Sequence, residues 1–212
     1  MRCVVVCFFG CDGSGKSTLA GLLSRYLSDC TGKQSVVVWV RGTHTFSSFL
    51  ARFMEGFQLF KGNCNPYYNI CVPEKMSYLW VWLEFFSALP VFFARFVLPR
   101  ITGRVVVAER CPVDFLVWLA VTLRRNVFKS FIGRATLSIA FSLCECMVYV
   151  RADEGVLLSR RSALWDRRVI PVELRIYDSL ARFLGVRVVD TSGKSVEESL
   201  REVVEIAGNE CV

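Results

Sequence analysis

The chain has 212 residues, which suits one α/β domain with a sizeable core better than two small ones. Apolar residues make up 53% of it and the mean hydropathy is +0.41, so contact with a membrane has to be weighed. The net charge is +7, but the 26 basic residues are spread without a run of five, which argues against a nucleic-acid partner; a single histidine and no C-x-x-C spacing argue against a zinc site.

The start, M-R-C-V-V-V-C-F-F-G, holds one arginine and a short apolar run and then enters a glycine loop. It reads as a first strand over residues 4–9 without a signal peptide, which implies a cytoplasmic protein with reduced thiols. A helix is predicted over 17–30 and a strand over 35–40. Two longer helical regions, 46–60 and 74–99, come next. Residues 78–98 are apolar and long enough to span a bilayer, yet hold Glu84, Pro90 and Arg95, so a buried helix pair is favoured over membrane contact. The remaining strands are expected at 104–108, 146–150 and 186–189, and the remaining helices at 113–126, 153–163, 172–184 and 195–207. Cys144 and Cys146 would share one side of a strand, as core filling does. Strands separated by helices imply a parallel sheet covered on both faces, with ligands at the strands' carboxyl ends.

Gly10-Cys11-Asp12-Gly13-Ser14-Gly15-Lys16-Ser17 matches G-x-x-x-x-G-K-[ST] in full, between a predicted strand and a predicted helix. Glycines let backbone N–H groups curl around phosphates, and the helix N-terminus adds partial positive charge. Lys16 can reach the β- and γ-phosphates and the Ser17 hydroxyl can ligate Mg²⁺. Gly10, Asp12, Gly13, Ser14, Gly15, Lys16, Ser17 and Thr18 are therefore assigned to the nucleotide. No N-K-x-D selects guanine, so ATP is the expected donor.

The extended run G-C-D-G-S-G-K-S-T resembles the phosphate loop of the thymidylate kinases. Further on, V-V-V-A-E-R at 105–110 resembles that family's strand ending in Asp-Arg, and L-L-S-R-R-S-A-L-W-D-R-R at 157–168 resembles its arginine-bearing lid. V-V-D-T-S at 188–192, followed by S-V-E-E at 195–198, resembles its last strand and helix. The resemblance implies a three-layer P-loop kinase fold in a single domain over 1–212. It would have a five-stranded parallel sheet, helices on both faces, an acceptor-binding helical region over about 43–100 and a helical lid over about 160–170. It implies ATP and Mg²⁺ as cofactors and nucleotides as substrates, and leaves a homodimer open. Carried over residue by residue, Asp12 would meet the acceptor sugar's 3′-hydroxyl. Arg41 and Arg110 would hold the acceptor phosphate, and Glu109 would sit near Mg²⁺ through water, beside Ser17. Arg160 would lie against the adenine. Arg161, Arg167 and Arg168 would close with Lys16 on the transferring phosphoryl, where a planar guanidinium suits phosphate oxygens.

The resemblance breaks in the base pocket. The family's ring-reading arginine falls near Ala88 and its glutamine near Leu119; the aromatic after Asp-Arg is Cys111, and the serine three positions on is Asp114. Arg95 and Arg100 are the only nearby arginines and neither is in register. The acceptor region is instead aromatic, with Tyr67, Tyr68, Tyr78, Trp80, Trp82, Phe85, Phe86, Phe92 and Phe93, most of which helical spacing assigns to core. His44 reads as a loop residue and not a base. The reading is an ATP-dependent kinase of a (deoxy)nucleoside monophosphate. A deoxynucleoside kinase, a kinase for a more apolar acceptor and a non-catalytic nucleotide-binding module stay open. Val40-Arg41-Gly42 places a cation where a nucleoside kinase would want an acid to activate a sugar hydroxyl.

Overall fold

Five short segments rich in β-branched and aromatic residues form one parallel sheet in the computed structural model, which describes residues 5–42, 44–65, 67–161 and 163–210, the side chains of 164, 165, 209 and 210 excepted. The strands are β1 (Val5–Phe9), β2 (Ser35–Val38), β3 (Val105–Ala108), β4 (Cys146–Arg151) and β5 (Arg187–Asp190), in the order β2-β3-β1-β4-β5. The expected strands are all present with ends shifted by one or two residues; Val4 lies outside the described residues.

β1 is buried at every position because both faces of the sheet are covered. Its alternating side chains feed two cores. Val5, Cys7 and Phe9 face a layer built by α3 (Glu74–Phe92), α5 (Pro112–Thr122), α6 (Phe131–Leu143) and α8 (Leu164–Leu184). Val6 and Phe8 face α1 (Lys16–Thr31) and α9 (Val196–Glu210). Val106 and Ala108 of β3 join the first layer, Val105 and Val107 the second. This makes the three-layer α/β architecture that the sequence implies. From β1 the chain first builds β2 and β3 on one side and then β4 and β5 on the other. The crevice of such a sheet lies at the carboxyl end of β1, where the strand order reverses.

The helices depart from expectation in several places: the one predicted over 46–60 is α2 (Thr45–Met54) followed by a separate 3-10 turn at Gln58–Phe60, and the one predicted over 113–126 ends at Thr122. α6 was not anticipated, because the sequence was read as one helix ending near 126 and nothing before β4. α8 begins at Leu164, eight residues early, and runs through Pro171, whose missing N–H removes a single bond in an otherwise long helix. The predicted helix 74–99 is α3, a π turn over Phe93–Val97 that follows Pro90, and α4 (Leu98–Ile101). The smaller α2 (Thr45–Met54) and α7 (Glu154–Arg160) complete the chain's helices of four residues or more among the described residues.

The stretch Glu74–Ile101 is 28 residues long and apolar enough to cross a membrane by length and composition, with 39% of its most apolar window buried. Trp80, Val81, Phe85, Ala88, Phe92 and Phe96 pack inward, while Leu79, Phe86 and Phe93 stay exposed at seven-residue spacing. α2 does the same on a smaller scale: Ser47, Ala51 and Met54 face in, and Phe46, Phe49 and Phe53 face out.

The expectation of reduced thiols is corrected. Cys7 of β1 is disulfide-bonded to Cys144, just before β4, and Cys64 to Cys71. Adjacent parallel strands and a tight loop bring these pairs within bonding reach, which spacing along the chain does not reveal. Cys11, Cys30 and Cys111 form no disulfide.

Candidate active site

The turn from β1 into α1 needs glycine for steric reasons. Gly10 has φ +141°, and a Cβ there would lie 2.4 Å from the Val150 carbonyl oxygen of β4. Gly15, the N-cap of α1, is left-handed and offers no side-chain cap, and the first turn carries no acid. The first amides of α1 are thus left for a ligand, in the arrangement that binds phosphate. Lys16 is buried and folded back on the loop, its Nζ donating to the Cys11 carbonyl and, at 3.2 Å, to Ser14 Oγ. Burial pulls its pKa below the ordinary lysine value, against the pull of nearby Asp114.

Asp12 stands opposite two arginines, Arg110 buried and Arg41 half-buried. Arg41, just past β2, pairs with Asp12 Oδ2 at 2.7 Å, and Arg110, just past β3, pairs with Asp12 Oδ1. Arg41 also reaches Glu173 of α8 at 3.4 Å, and Arg110 reaches Asp114 at 3.1 Å. Burial works against both charges, but Glu173 for Arg41 and Asp114 for Arg110, with the tyrosines beside them, outweigh it, so both stay above the usual arginine value. The side chain placed by resemblance on a sugar hydroxyl therefore bridges the two residues placed on a phosphate.

Asp114 is the hub beneath them. Its enclosed carboxylate accepts from the Gly10 amide at 3.3 Å, the Cys111 amide at 2.9 Å, Arg110 Nη1 at 3.1 Å and Tyr177 Oη at 2.8 Å. One side chain thus ties the phosphate loop, the end of β3, the start of α5 and α8. Sequence reasoning missed this role. A Cys-Pro-x-Asp start with an acid at the third helical position is a readable capping signal. Glu173 and Tyr177, one turn apart on α8, were missed too, and nothing local links them to a loop some 160 residues earlier.

The cleft around these groups has a volume of ≈ 670 Å³, within the range of small-molecule sites. Asp12, Gly13, Gly15, Lys16, Ser17 and Thr18 line it, as do Arg41, Glu109, Arg110, Arg160 and Arg161. Gly10 and Ser14 shape the loop from behind. Arg160 donates to the Gly13 carbonyl at 2.9 Å, so it lies on the phosphate loop. Arg167 and Arg168 do not line the cleft; Arg168 lines a separate groove, and Asp166 is the residue of that stretch that faces the phosphates' side. The Trp165 side chain lies outside the described residues. On the far wall Thr191 donates to the Ser14 carbonyl at 3.0 Å, with Lys194, Ser195 and Ser199 beyond it. Among the described residues no cluster of three His, Cys, Asp or Glu could hold a metal. Ser17 and Glu109 on one cleft suit Mg²⁺, which keeps several waters and takes the rest of its oxygens from phosphates.

Where a base would lie, the site is apolar. Ala88 and Leu119 are buried in the core. Trp118 occupies the space in front of Gly42, where a Cβ would come within 1.6 Å of its ring. Trp118 stacks on Tyr67 with centroids 5.2 Å apart and lies under the Arg41 guanidinium at 5.0 Å. Its buried Nε1–H has no hydrogen-bond partner among the described residues. Arg95 covers Trp39 and Arg100 pairs with Glu145, so neither takes the missing ring-reading place. His44 accepts from the Arg41 amide at 3.3 Å.

No protein-family model matches the sequence, and no curated protein does. Solved structures match over nearly the whole chain. A thymidylate kinase from Candida albicans, whose structure is reported to reveal the origin of broad substrate specificity and a novel structural element, superposes with a TM-score of 0.64 at 16% identity, covering 98% of this chain and 92% of that one. A thymidylate kinase from Ehrlichia chaffeensis gives 0.54 at 14% identity, covering 97% and 99%. At these identities the likeness is one of fold, and this chain has the P-loop kinase fold of the thymidylate kinases.

Proposed function

We propose that the protein is an ATP-dependent phosphotransferase of the nucleotide kinase kind, which phosphorylates a nucleoside monophosphate to the diphosphate. One observation carries the reading: Arg41 and Arg110, from two neighbouring strand ends, converge across the cleft from the phosphate loop. A half-buried and a buried guanidinium held by one carboxylate form a seat for a second phosphate, which can replace Asp12 as their partner.

In the proposed reaction an oxygen of the acceptor phosphate attacks Pγ of ATP. The bond from Pγ to the β–γ bridging oxygen breaks, and ADP leaves with that electron pair. An acceptor that is already ionised needs no general base, in keeping with the absence of a carboxylate at Val40-Arg41-Gly42. Lys16 releases its carbonyl and compensates charge on the transferring group, with Arg160 and Arg161 beside it. Mg²⁺, when bound, supplies neutralisation of phosphate charge. Ser17 and Glu109 are the residues that would hold it.

The experiment is an acceptor screen with ATP and Mg²⁺ on dTMP, dUMP, dCMP and dGMP and on the corresponding nucleosides. Monophosphates are expected to turn over, with base discrimination below about 200-fold, since an apolar pocket without paired polar groups selects weakly. A nucleoside preferred over its monophosphate would overturn the acceptor-phosphate seat. A preference of about a thousandfold for dTMP over dCMP would overturn the apolar base pocket. The second reading, a more apolar acceptor, is favoured by Trp39 and Tyr67 on the cleft wall and by the Trp118 ring stacked behind Tyr67. It gains if all four monophosphates fail with a folded, ATP-binding protein.

A further inference from the structure

Away from the phosphate cleft, α5, α6 and α8 leave between them a groove of ≈ 940 Å³. Its floor is hydrocarbon from four sources: Val121 of α5, Phe128 of the following connection, Leu137 of α6, and Val172, Ile176 and Phe183 of α8. Its rim is cationic, with Arg124, Arg125 and Lys129 on the α5–α6 connection and Arg168 and Arg175 on α8. Among the described residues no Asp or Glu lines the groove. None of the five cations forms an ion pair among the described residues. Arg125 uses one N–H on Ser77 Oγ and Arg175 its Nε–H on the Pro171 carbonyl, and both keep further donors.

α8 is divided lengthwise by this arrangement. Positions 168, 172, 175, 176, 179 and 183 recur at three- and four-residue spacing and face the groove, while Glu173, Leu174, Tyr177 and Ala181 face the core. Val121, Phe128, Leu137, Ile176 and Leu180 line the groove with the outer edge of the main core, whereas Val172 and Phe183 are apolar side chains of α8 that the core does not take up. Phe183 is 77% exposed. Arg124 follows the C-cap of α5, where a left-handed residue closes the helix and the Arg125 amide bonds back to the Ala120 carbonyl at 3.1 Å. It holds φ +51° at the end of α5, a left-handed conformation that glycine adopts freely and arginine does not.

Hydrocarbon alone would be covered by any apolar surface, and five cations alone would bind any polyanion. A ligand that meets both needs a chain for the floor and an anionic head with several acceptor oxygens for the rim. We propose that the groove is a binding site for one single-chain anionic amphiphile, an alkyl or isoprenyl phosphate. Its occupant would touch two segments that also border the phosphate cleft. Asn63 and Cys64 precede Tyr67, which contacts Arg41, and Arg168 follows Asp166.

The test is calorimetric titration of the full chain with dodecyl phosphate below its micelle concentration. Dodecyl maltoside has the same tail with a neutral head, and methyl phosphate has the head without the tail. Saturable one-to-one binding of dodecyl phosphate is expected, at least tenfold tighter than either control. Equal affinity for the maltoside or for methyl phosphate would overturn the proposal. Arg124→Gly and Arg175→Glu should each weaken binding tenfold or more, and Arg124→Gly should do so without lowering Tm because its backbone suits glycine. Phe183→Ser should weaken binding as well, whereas Phe49→Ser on the exposed face of α2 should not. An equal loss with Phe49→Ser, or displacement of dodecyl phosphate by saturating ATP and Mg²⁺, would put the amphiphile on the α2 face or in the phosphate cleft and refute the groove.

Discussion

Replacing Asp114 by asparagine keeps the shape of the hub and removes its charge. Three of its four donors, from Gly10, Arg110 and Tyr177, converge on Oδ1, and the fourth, the Cys111 amide, meets Oδ2. The amide oxygen of asparagine is expected to take the Oδ1 place, which turns its NH₂ on the Cys111 N–H, donor against donor. The lost charge-assisted bond to Arg110 costs about 1.5–3 kcal/mol and the buried, unmatched amide about 1–3 kcal/mol. Arg110 keeps Asp12, so the ~3–5 kcal/mol of a fully stranded buried charge is not added on top. The expected loss is about 3–5 kcal/mol against a total of roughly 5–15, so the chain still folds. At ~2–4 °C per kcal/mol for a domain of this size, Tm should fall by about 10 °C. Thermal and urea unfolding followed by circular dichroism measure it. Tyr177→Phe is the control: the carboxylate keeps three donors, and about 1 kcal/mol should be lost. An Asp114→Asn effect below about 1 kcal/mol, or one no larger than that of Tyr177→Phe, would refute the hub.

Lys16→Ala should leave the fold intact and lower kcat by at least about a hundredfold, the range for losing one preorganised charge donor; unchanged turnover in a folded variant would sink the ATP-site assignment. Arg41→Ala and Arg110→Ala should each raise KM for a monophosphate acceptor by the equivalent of about 1.5–3 kcal/mol while KM for ATP moves much less. Steady-state kinetics with each substrate varied in turn checks this, and a selective loss of ATP binding would put both arginines on the donor side. Reduction of the disulfides should lower stability: Cys7–Cys144 closes 137 residues, and a native bridge of that kind contributes about 2–5 kcal/mol. Identical melts with and without tris(2-carboxyethyl)phosphine would show that the bridge contributes nothing.

The parts of the fold that were legible are those set by short-range rules. The phosphate loop is one contiguous run whose glycines and lysine are dictated by ligand geometry, and β1 is an uninterrupted apolar segment because both its faces are buried. Arg41 and Arg110 could be placed because strand ends converge in any parallel sheet. α6 was invisible as a helix because F-I-G-R-A-T-L-S-I-A-F-S-L mixes glycine, threonine and β-branched residues, whose preferences give no clear period. It packs on α5 and on the connection between them, where a Cβ on Gly133 would lie 2.4 Å from the Val127 carbonyl oxygen. Arg167 and Arg168 were placed on the transferring phosphoryl by the resemblance of 157–168 to an arginine-bearing lid. The actual start of α8 at Leu164 sets their direction, and it takes Arg168 to another face. The Asp114–Tyr177 and Arg41–Glu173 links span 63 and 132 residues, so no local pattern could announce them.

The central position of β1 has a consequence for the order in which the protein is made. β1 leaves the ribosome before the other four strands, yet its two neighbours, β3 and β4, begin at Val105 and Cys146. At about 5–20 residues per second, roughly 5–30 s pass before both have been synthesised. Throughout that interval V-V-C-F-F is an uncharged segment of β-branched and aromatic residues with two open edges, the kind that pairs with other chains. The phenylalanines of α2 and the apolar stretch after Glu74 emerge within the same window. The nascent chain is therefore least protected between the emergence of β1 and that of β4, and chains cut short before Cys146 should need a chaperone to stay in solution.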